Sequence, residues 1–159
     1  MAKRTDNLSP RIANRKAFHD YHISEKLEVG IVLVGSEVKS IRHSHVSLAE
    51  GFARVEPATS ELMLFNVDIA TYPQAGDRNH EPKRPRKLLA HKKQIDKLLT
   101  ATAAKGSTLI PLAMYFSDRG IVKLEIGVAT GKQHYDKRED LKKKADRRDI
   151  QRAMARKKL

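Results

Sequence analysis

From Ile110 to Val128 the chain alternates apolar and other residues through two runs joined by a short turn, a pattern that admits little but an antiparallel pair of strands. Ile110, Leu112, Met114 and Phe116 mark one face of the first run, and Val122, Leu124, Ile126 and Val128 mark the second. Ser117-Asp118-Arg119-Gly120 is the turn. Lys123, Glu125 and Gly127 are therefore expected to face out. Pro111 predicts an edge or an irregular start, because it cannot donate to a ladder.

Earlier segments follow the same logic. Ile23, Leu27, Val29, Ile31 and Leu33 alternate with polar residues over a run too long for one flat strand, which predicts a bend near Ser24–Lys26. Gly30 predicts a kink or a close backbone approach. Gly35-Ser36 ends this run and opens a short helix, with Glu37 in its first turn and Val38 and Ile41 on one side. Residues 51–56 and 61–67 predict a hairpin across Pro57-Ala58-Thr59-Ser60, with Met63, Phe65, Val67 and Ile69 on one face. Gln74 to Pro85, with Gly76, Asn79 and Pro82, reads as a loop. Helix returns by His91, with Ile95, Leu98, Leu99 and Ala103 at helical spacing and a stop at Lys105-Gly106. About six short antiparallel strands with a helix before the last hairpin predict an all-β core, a small closed OB-like barrel with short flanking helices.

Residues 132–159 differ from all that precedes them. They hold twelve Lys or Arg against five Asp or Glu, with no Gly or Pro. The composition favours helix. At about 100° per residue, however, Leu141 and Ala145 point one way, and Ile150, Ala153 and Met154 largely the other. A helix without an apolar stripe has little to dock on its own protein, so this stretch reads as a tail that becomes helical against a polyanion. Asp136 is the expected N-cap, with Glu139 closing a capping box. Tyr135, just outside that cap, either covers the end of the barrel or stacks on a nucleobase.

The 159 residues suffice for a single core. Of the net charge of +13, residues 1–16 carry +4, residues 78–93 carry +6 and residues 132–159 carry +7, which leaves −4 for the rest. Charge kept only for solubility would be spread, whereas three basic segments around a slightly acidic body point to nucleic acid. A membrane surface fits poorly, since the tail has no apolar face to lay on it. There is no Cys, which excludes disulfides, thiol nucleophiles and cysteine metal sites and fits a reducing compartment. The opening residues lack the apolar run of a signal peptide and read as a disordered basic arm, expected over residues 1–13. The body is then residues 14–130, and the tail residues 131–159.

Signs of catalysis are weak. His19 and His22 differ in parity and would point to opposite faces of a flat strand. His43 and His45 lie in a loop-like stretch without a carboxylate or Cys helper, so surface or hydrogen-bonded histidines are expected and no metal site. No P-loop, nucleophile elbow or HExxH is present. Asp136, Glu139 and Asp140 could hold Mg²⁺ for a nuclease, but they lie among lysines and capping accounts for two of them.

Three stretches carry a resemblance: Asn14-Arg15-Lys16-Ala17, Glu28-Val29-Gly30-Ile31, and Gly35-Ser36-Glu37-Val38-Lys39-Ser40-Ile41-Arg42. Arg84-Pro85-Arg86-Lys87-Leu88-Leu89, Lys105 through Leu112, Gly131-Lys132 and Asp136-Lys137-Arg138 follow in order. Together these segments resemble the SsrA-binding protein family, small protein B, from about Asn14 to the end. Gln133 departs from the resemblance, since the family has a basic residue there, which puts one phosphate contact in doubt; Tyr135 stays within the family's range.

The resemblance implies an RNA-binding protein with no catalytic residues, no metal and no cofactor. It would bind the tRNA-like domain of transfer-messenger RNA (tmRNA) and carry it to stalled ribosomes in the cytoplasm. Elongation factor Tu would travel on the charged RNA, and the protein would act as a monomer away from membranes. On the barrel, the resemblance places Asn14, Arg15, Lys16, Glu28, Arg86, Lys87, Lys123 and Lys132 against RNA. On the tail it places Tyr135, Asp136, Lys137, Arg138, Lys142, Lys143, Lys144, Arg147 and Arg148 in the message channel and decoding centre of the small subunit. Arg86 and Lys87 would touch phosphate, with Leu88 and Leu89 anchoring their loop. Glu28 would accept from base edges or 2′-hydroxyls, or orient a nearby Arg. The rival readings are a metal-dependent RNA-processing nuclease and a resident ribosomal protein.

Overall fold

In the computed structural model, which describes residues 10–156, six strands close a ring. In order around it they are β8 (Ser107–Phe116), β4 (Phe52–Glu56), β5 (Glu61–Phe65), β7 (Arg86–Leu89), β2 (Tyr21–Ile31) and β9 (Val122–Gly131), and β9 pairs back onto β8. Every pairing is antiparallel. This is the closed architecture that the alternation implies, with two short junctions, β2 to β7 at Gly30 and Ile31 and β4 to β8 at Ala53. A two-residue strand, β1 (Ile12–Ala13), adds to β8 opposite Met114 and Ala113. A second sheet joins β3 (Val46–Ser47) to β6 (Asp68–Ile69).

Among the described residues four α-helices flank the ring, α1 (Arg15–Asp20), α2 (Gly35–Arg42), α3 (Lys92–Thr102) and α4 (His134–Arg156), and Pro73–Arg78, mostly within the stretch expected as a loop, forms 3-10 turns. Val29, Ile41, Leu62, Leu64, Leu88, Leu98, Leu109, Met114, Leu124 and Ile126 fill the interior. Each such side chain contributes about 1.5–3 kcal/mol on leaving water. A second, smaller core of Ala17, Ile110, Leu112 and Ala129 lies outside the ring beneath α1, with Tyr21 and Ile23 packed against it.

Two bulges make that second core possible. The β2–β9 register shifts between Ile23 and Glu25, in the predicted bend. The β8–β9 register shifts between Pro111 and Ala113. An extra residue switches the parity of everything beyond it. Ile23 therefore lies outside the ring although Leu27 and Val29 lie inside, and Ile110 and Leu112 lie outside although Met114 and Phe116 face in. The apparently single stripe from Ile110 to Phe116 serves two cores. Pro111 is not at an edge; it sits at the bulge, fully buried, opposite Ile126. Gly127 does not face solvent either: a Cβ there would come 2.8 Å from both Ile23 Cγ2 and Leu112 Cδ1.

Other expectations shift for local reasons. Ile12 and Ala13 belong to the sheet, so the disordered arm does not extend to residue 13; residues 1–9 of that arm lie outside the described residues. Residues 15–20 are helical because Asn14 caps them, its Oδ1 accepting from the Ala17 N–H at 3.1 Å. In β5 it is Leu62 and Leu64 that are buried, while Met63 and Phe65 are half-buried. Asn66, at φ +56°, then turns the chain so that Val67 and Ile69 re-enter the core. Residues 86–89 form a strand, not the end of a loop, and Leu89 is exposed where Leu88 is buried. The tail helix begins at His134, so Asp136 lies in its first turn and is not its cap.

Candidate nucleic-acid interface

The outer face of β2, β9 and β8 carries a set of polar side chains in register. Glu28 stands opposite Glu125, which stands opposite Ala113; Lys123 stands opposite Tyr115 and Gly30. Period-two alternation puts Lys26, Glu28, Lys123, Glu125 and Tyr115 on one face. The Tyr115 hydroxyl donates to Glu28 Oε2, and Lys123 Nζ lies 4.0 Å from Glu28 Oε1. Arg11 stacks over the Tyr115 ring, 4.8 Å from its centroid, and donates to Glu125 Oε2 at 2.9 Å. Lys26 reaches Glu125 at 3.5 Å and lies over the Phe18 ring at 5.2 Å.

Cations alternate with acceptors here, and each carboxylate orients the cation beside it. Exposed pairs of this kind contribute little to stability. They hold ammonium and guanidinium groups extended where a phosphate can take the place of the carboxylate. The bond to Glu28 also pushes the Tyr115 hydroxyl up to about 12, with partial burial and the Glu28 charge adding to it. A raised value favours the folded state below pH 10, where both states carry a neutral phenol, and that contribution is lost as pH rises through about 12. Ultraviolet titration should therefore show one of the four tyrosines ionising late, and Glu28→Gln should bring it back towards about 10.

The expected RNA-facing residues divide. Glu28 and Lys87 are exposed and Lys123 is half-buried, all on the ring's outer side, while Arg15 and Lys16 are exposed on α1. Lys87 pairs with Glu61 across β5 and β7, and Lys16 lies 3.9 Å from Glu50. Asn14 and Arg86 are buried, and Lys132 is half-buried with its ammonium turned onto the protein. The Asn14 amide is buried, donating to the Leu48 carbonyl at 3.0 Å and the Pro111 carbonyl at 2.9 Å.

Arg86 is 1% exposed. Its Nε donates to Glu37 Oε1 at 2.7 Å, and its other nitrogens donate to the carbonyls of Val67, Arg84 and Pro82. A guanidinium that has left water must be fully bonded, and every donor spent on the protein is lost to phosphate. Lys132 Nζ donates to the Phe18 carbonyl at 3.0 Å and to Asp140 Oδ2 at 2.5 Å, and its side chain is 8% exposed. In this structure the three side chains spend their donors within the protein, where they hold the basic segments in place.

Among the described residues the tail's ion pairs to the body are at its root, and beyond them Leu141, Arg147 and Ile150 line an open groove with Arg15 and Phe18 of α1. Lys137 Nζ lies 3.2 Å from Asp20, and Asp136 lies 3.5 Å from His22. Hydrogen bonds from His19 and Lys137 hold the Asp20 carboxyl below the usual carboxylate range, and the bond from Lys132 does the same for Asp140. From Leu141 to Ala155 every residue of α4 is exposed, Lys142, Lys143, Lys144, Arg147 and Arg148 among them. Arg138 and Glu139 are exposed too; Tyr135 belongs to α4, but its side chain lies outside the described residues. Among the described residues no three His, Asp or Glu side chains converge as a metal site. No helix among them is long and apolar enough to cross a membrane.

Arg11, Lys26, Tyr115 and Glu125 are not singled out by sequence reasoning. Alternation alone would have placed Tyr115 outward, between Met114 and Phe116, and Glu125 was already expected to face out. Arg11 had no such signal, because a two-residue strand carries no period.

Comparison with known proteins gives a consistent result. Residues 11–156 match the model of the SmpB protein family. The SsrA-binding protein of Carboxydothermus hydrogenoformans is 52% identical over 141 residues, covering 89% of this chain and 93% of the relative. That of Symbiobacterium thermophilum is 46% identical over 154 residues, covering 97% and 96%. A solved structure described as "tmRNA-SmpB: a journey to the center of the bacterial ribosome" superposes with a TM-score of 0.67 at 47% identity, covering 87% of this chain and 96% of that one.

Proposed function

The chain belongs to the SmpB protein family, and on that premise we propose that it binds tmRNA through the tRNA-like domain and takes it to stalled ribosomes in trans-translation. The observation that carries this reading is the oriented face of β2, β9 and β8, where Glu28, Lys123, Tyr115, Arg11 and Lys26 hold one another in place. Such a face suits folded RNA, whose phosphates and 2′-hydroxyls present acceptors and donors in turn. Arg15, Lys16 and Lys87 extend it. The relatives' names and the solved tmRNA–SmpB structure support the choice of RNA.

The protein acts in this reading as an RNA-binding factor and not as an enzyme, in the cytoplasm, as a monomer, with elongation factor Tu on the same RNA. Residues 131–159 act as the ribosome-facing tail, except that Gly131 and Lys132 are built into the body. Tyr135, Asp136, Lys137, Arg138, Lys142, Lys143, Lys144, Arg147 and Arg148 enter the empty message channel of the small subunit and its decoding centre. The 23 residues of α4 span about 34 Å at 1.5 Å each, enough to follow a single-strand channel.

A salt titration of affinity for the tRNA-like domain tests the reading. Lys123→Ala should weaken binding and reduce the log–log slope by about 0.7–0.9. Arg86→Ala, by contrast, should leave the slope of the folded fraction unchanged. Cleavage of the RNA on incubation with Mg²⁺, or an unchanged slope for Lys123→Ala, would overturn it.

A further inference from the structure

Three rings lie together at the C-terminal end of α2, none of them among the residues of the face just described. His43 and Tyr72 are nearly parallel, 11° between planes and 6.3 Å between centroids, and His45 lies 6.0 Å from His43 at 32°. Both histidines are exposed and Tyr72 is half-buried. Lys39, one helical turn before His43, sets its ammonium 5.1 Å over the Tyr72 ring. Arg42 lies over the Phe116 ring at 5.7 Å. Neither cation makes an ion pair among the described residues.

The backbone under the rings is held firmly. Ser44 sits at φ +61°, a region that side chains other than Gly and Asn seldom adopt. It lets the Ser44 N–H reach the Ile41 carbonyl at 2.9 Å and the His45 N–H reach the Ser40 carbonyl at 3.0 Å, which folds His45 back beside His43. The Ala70 N–H then ties the His45 carbonyl to the second sheet at 3.0 Å. Asn79 clamps Tyr72 from both sides: its Oδ1 accepts from the Tyr72 N–H at 2.9 Å and its amide donates to the Tyr72 carbonyl at 2.8 Å. Solubility needs no strained residue and no doubled clamp. Both cut the entropy lost when a flat ligand settles on the rings.

We infer that His43, His45 and Tyr72 form a stacking platform for an unpaired RNA base, with Lys39 and Arg42 taking its flanking phosphates. Aromatic faces accept any base, and a base already in a duplex offers no free face. The inference goes beyond the function proposed above, because it concerns a separate surface and a local, unpaired element of the RNA.

The chain has no Trp, so Tyr72→Trp in the full-length protein gives a single reporter inside the platform. A short single-stranded oligoadenylate should quench its emission, and the same strand annealed to its complement should not. Tyr72→Ala should weaken binding of the single strand about tenfold, within the range known for one stacked base. Tyr72→Phe, which keeps the ring, should restore it. No quenching at saturating oligoadenylate, equal quenching by duplex, or wild-type affinity in Tyr72→Ala would each overturn the platform. Because the readout uses neither tmRNA nor ribosomes, its failure is distinct from failure of the proposed function.

Discussion

Glu37→Gln is expected to destabilise the protein by about 3–5 kcal/mol, the usual cost of removing one partner from a buried ion pair. The Glu37 carboxylate is completely enclosed. It accepts from Arg84 Nε at 2.9 Å and Nη2 at 2.7 Å, from Arg86 Nε at 2.7 Å and from the Val34 N–H at 2.8 Å. Arg84 is partly exposed and can swing into water, but Arg86 cannot. The amide would leave an enclosed guanidinium without its counter-charge. Urea unfolding should show the midpoint falling with little change in slope. Replacing Glu37 and Arg86 together by apolar residues of similar volume should recover part of the loss, because the desolvation cost disappears with the charges.

The same residue makes a pH prediction. Burial alone would raise the Glu37 carboxyl, but the bonds from Arg84, Val34 and Arg86 outweigh it, and the folded value lies below 4.5. A depressed folded value means that the stabilisation is fully present above about pH 4.5 and is lost as pH falls through the folded value. Acid unfolding of Glu37→Gln should lack that component. The amide variant would start less stable at neutral pH and lose less on acidification, and a parallel acid profile would contradict the arrangement.

Ending the chain after Gln133 is expected to reduce rescue of stalled ribosomes to background while leaving affinity for the tRNA-like domain within about threefold. The cut falls here because Gly131 pairs with Tyr21 and the Lys132 N–H bonds the Asp20 carbonyl at 2.9 Å, so an earlier cut would fray β9. What is lost from the body is a set of partly exposed pairs at the root of α4, each contributing about 0–1 kcal/mol. What is lost from function is a helix carrying nine Lys or Arg, with Lys157 and Lys158 following it in the sequence. Ribosome rescue in a reconstituted translation system and a gel-shift titration give the two readouts. Equal loss of both would mean that tail and ring do not divide the work.

Period-two alternation and turn chemistry were enough to foresee a closed antiparallel sheet, because β8 and β9 carry their pattern over many residues and Gly120, at φ +74°, closes the turn between them. The exposure of α4 was legible in the same way, from helix-forming residues with no stripe to bury, but it was expected to turn helical only against a polyanion and is already helical in the isolated chain. Alternation failed where a single inserted residue reset it. In the string Ile110-Pro111-Leu112-Ala113-Met114 only Pro111 signals an irregularity, and it does not say that Leu112 goes to α1 and Met114 to the interior.

Charge was the least reliable guide to position. Arg84, Arg86 and Lys87 are adjacent cations in the sequence, yet one is half-buried, one enclosed and one open to solvent. Which of them can meet phosphate depends on Glu37, 49 residues from Arg86 along the chain. Local pattern, propensity and charge balance set the strands, the turn and the cationic tail, since each depends on neighbours within a few residues. The inward Arg86, the oriented Glu28–Tyr115–Arg11 face and the second core under α1 were decided by the tertiary structure. Their partners meet only when the ring closes, and a carboxylate's burial or a ring's neighbour has no signature in the order of residues alone.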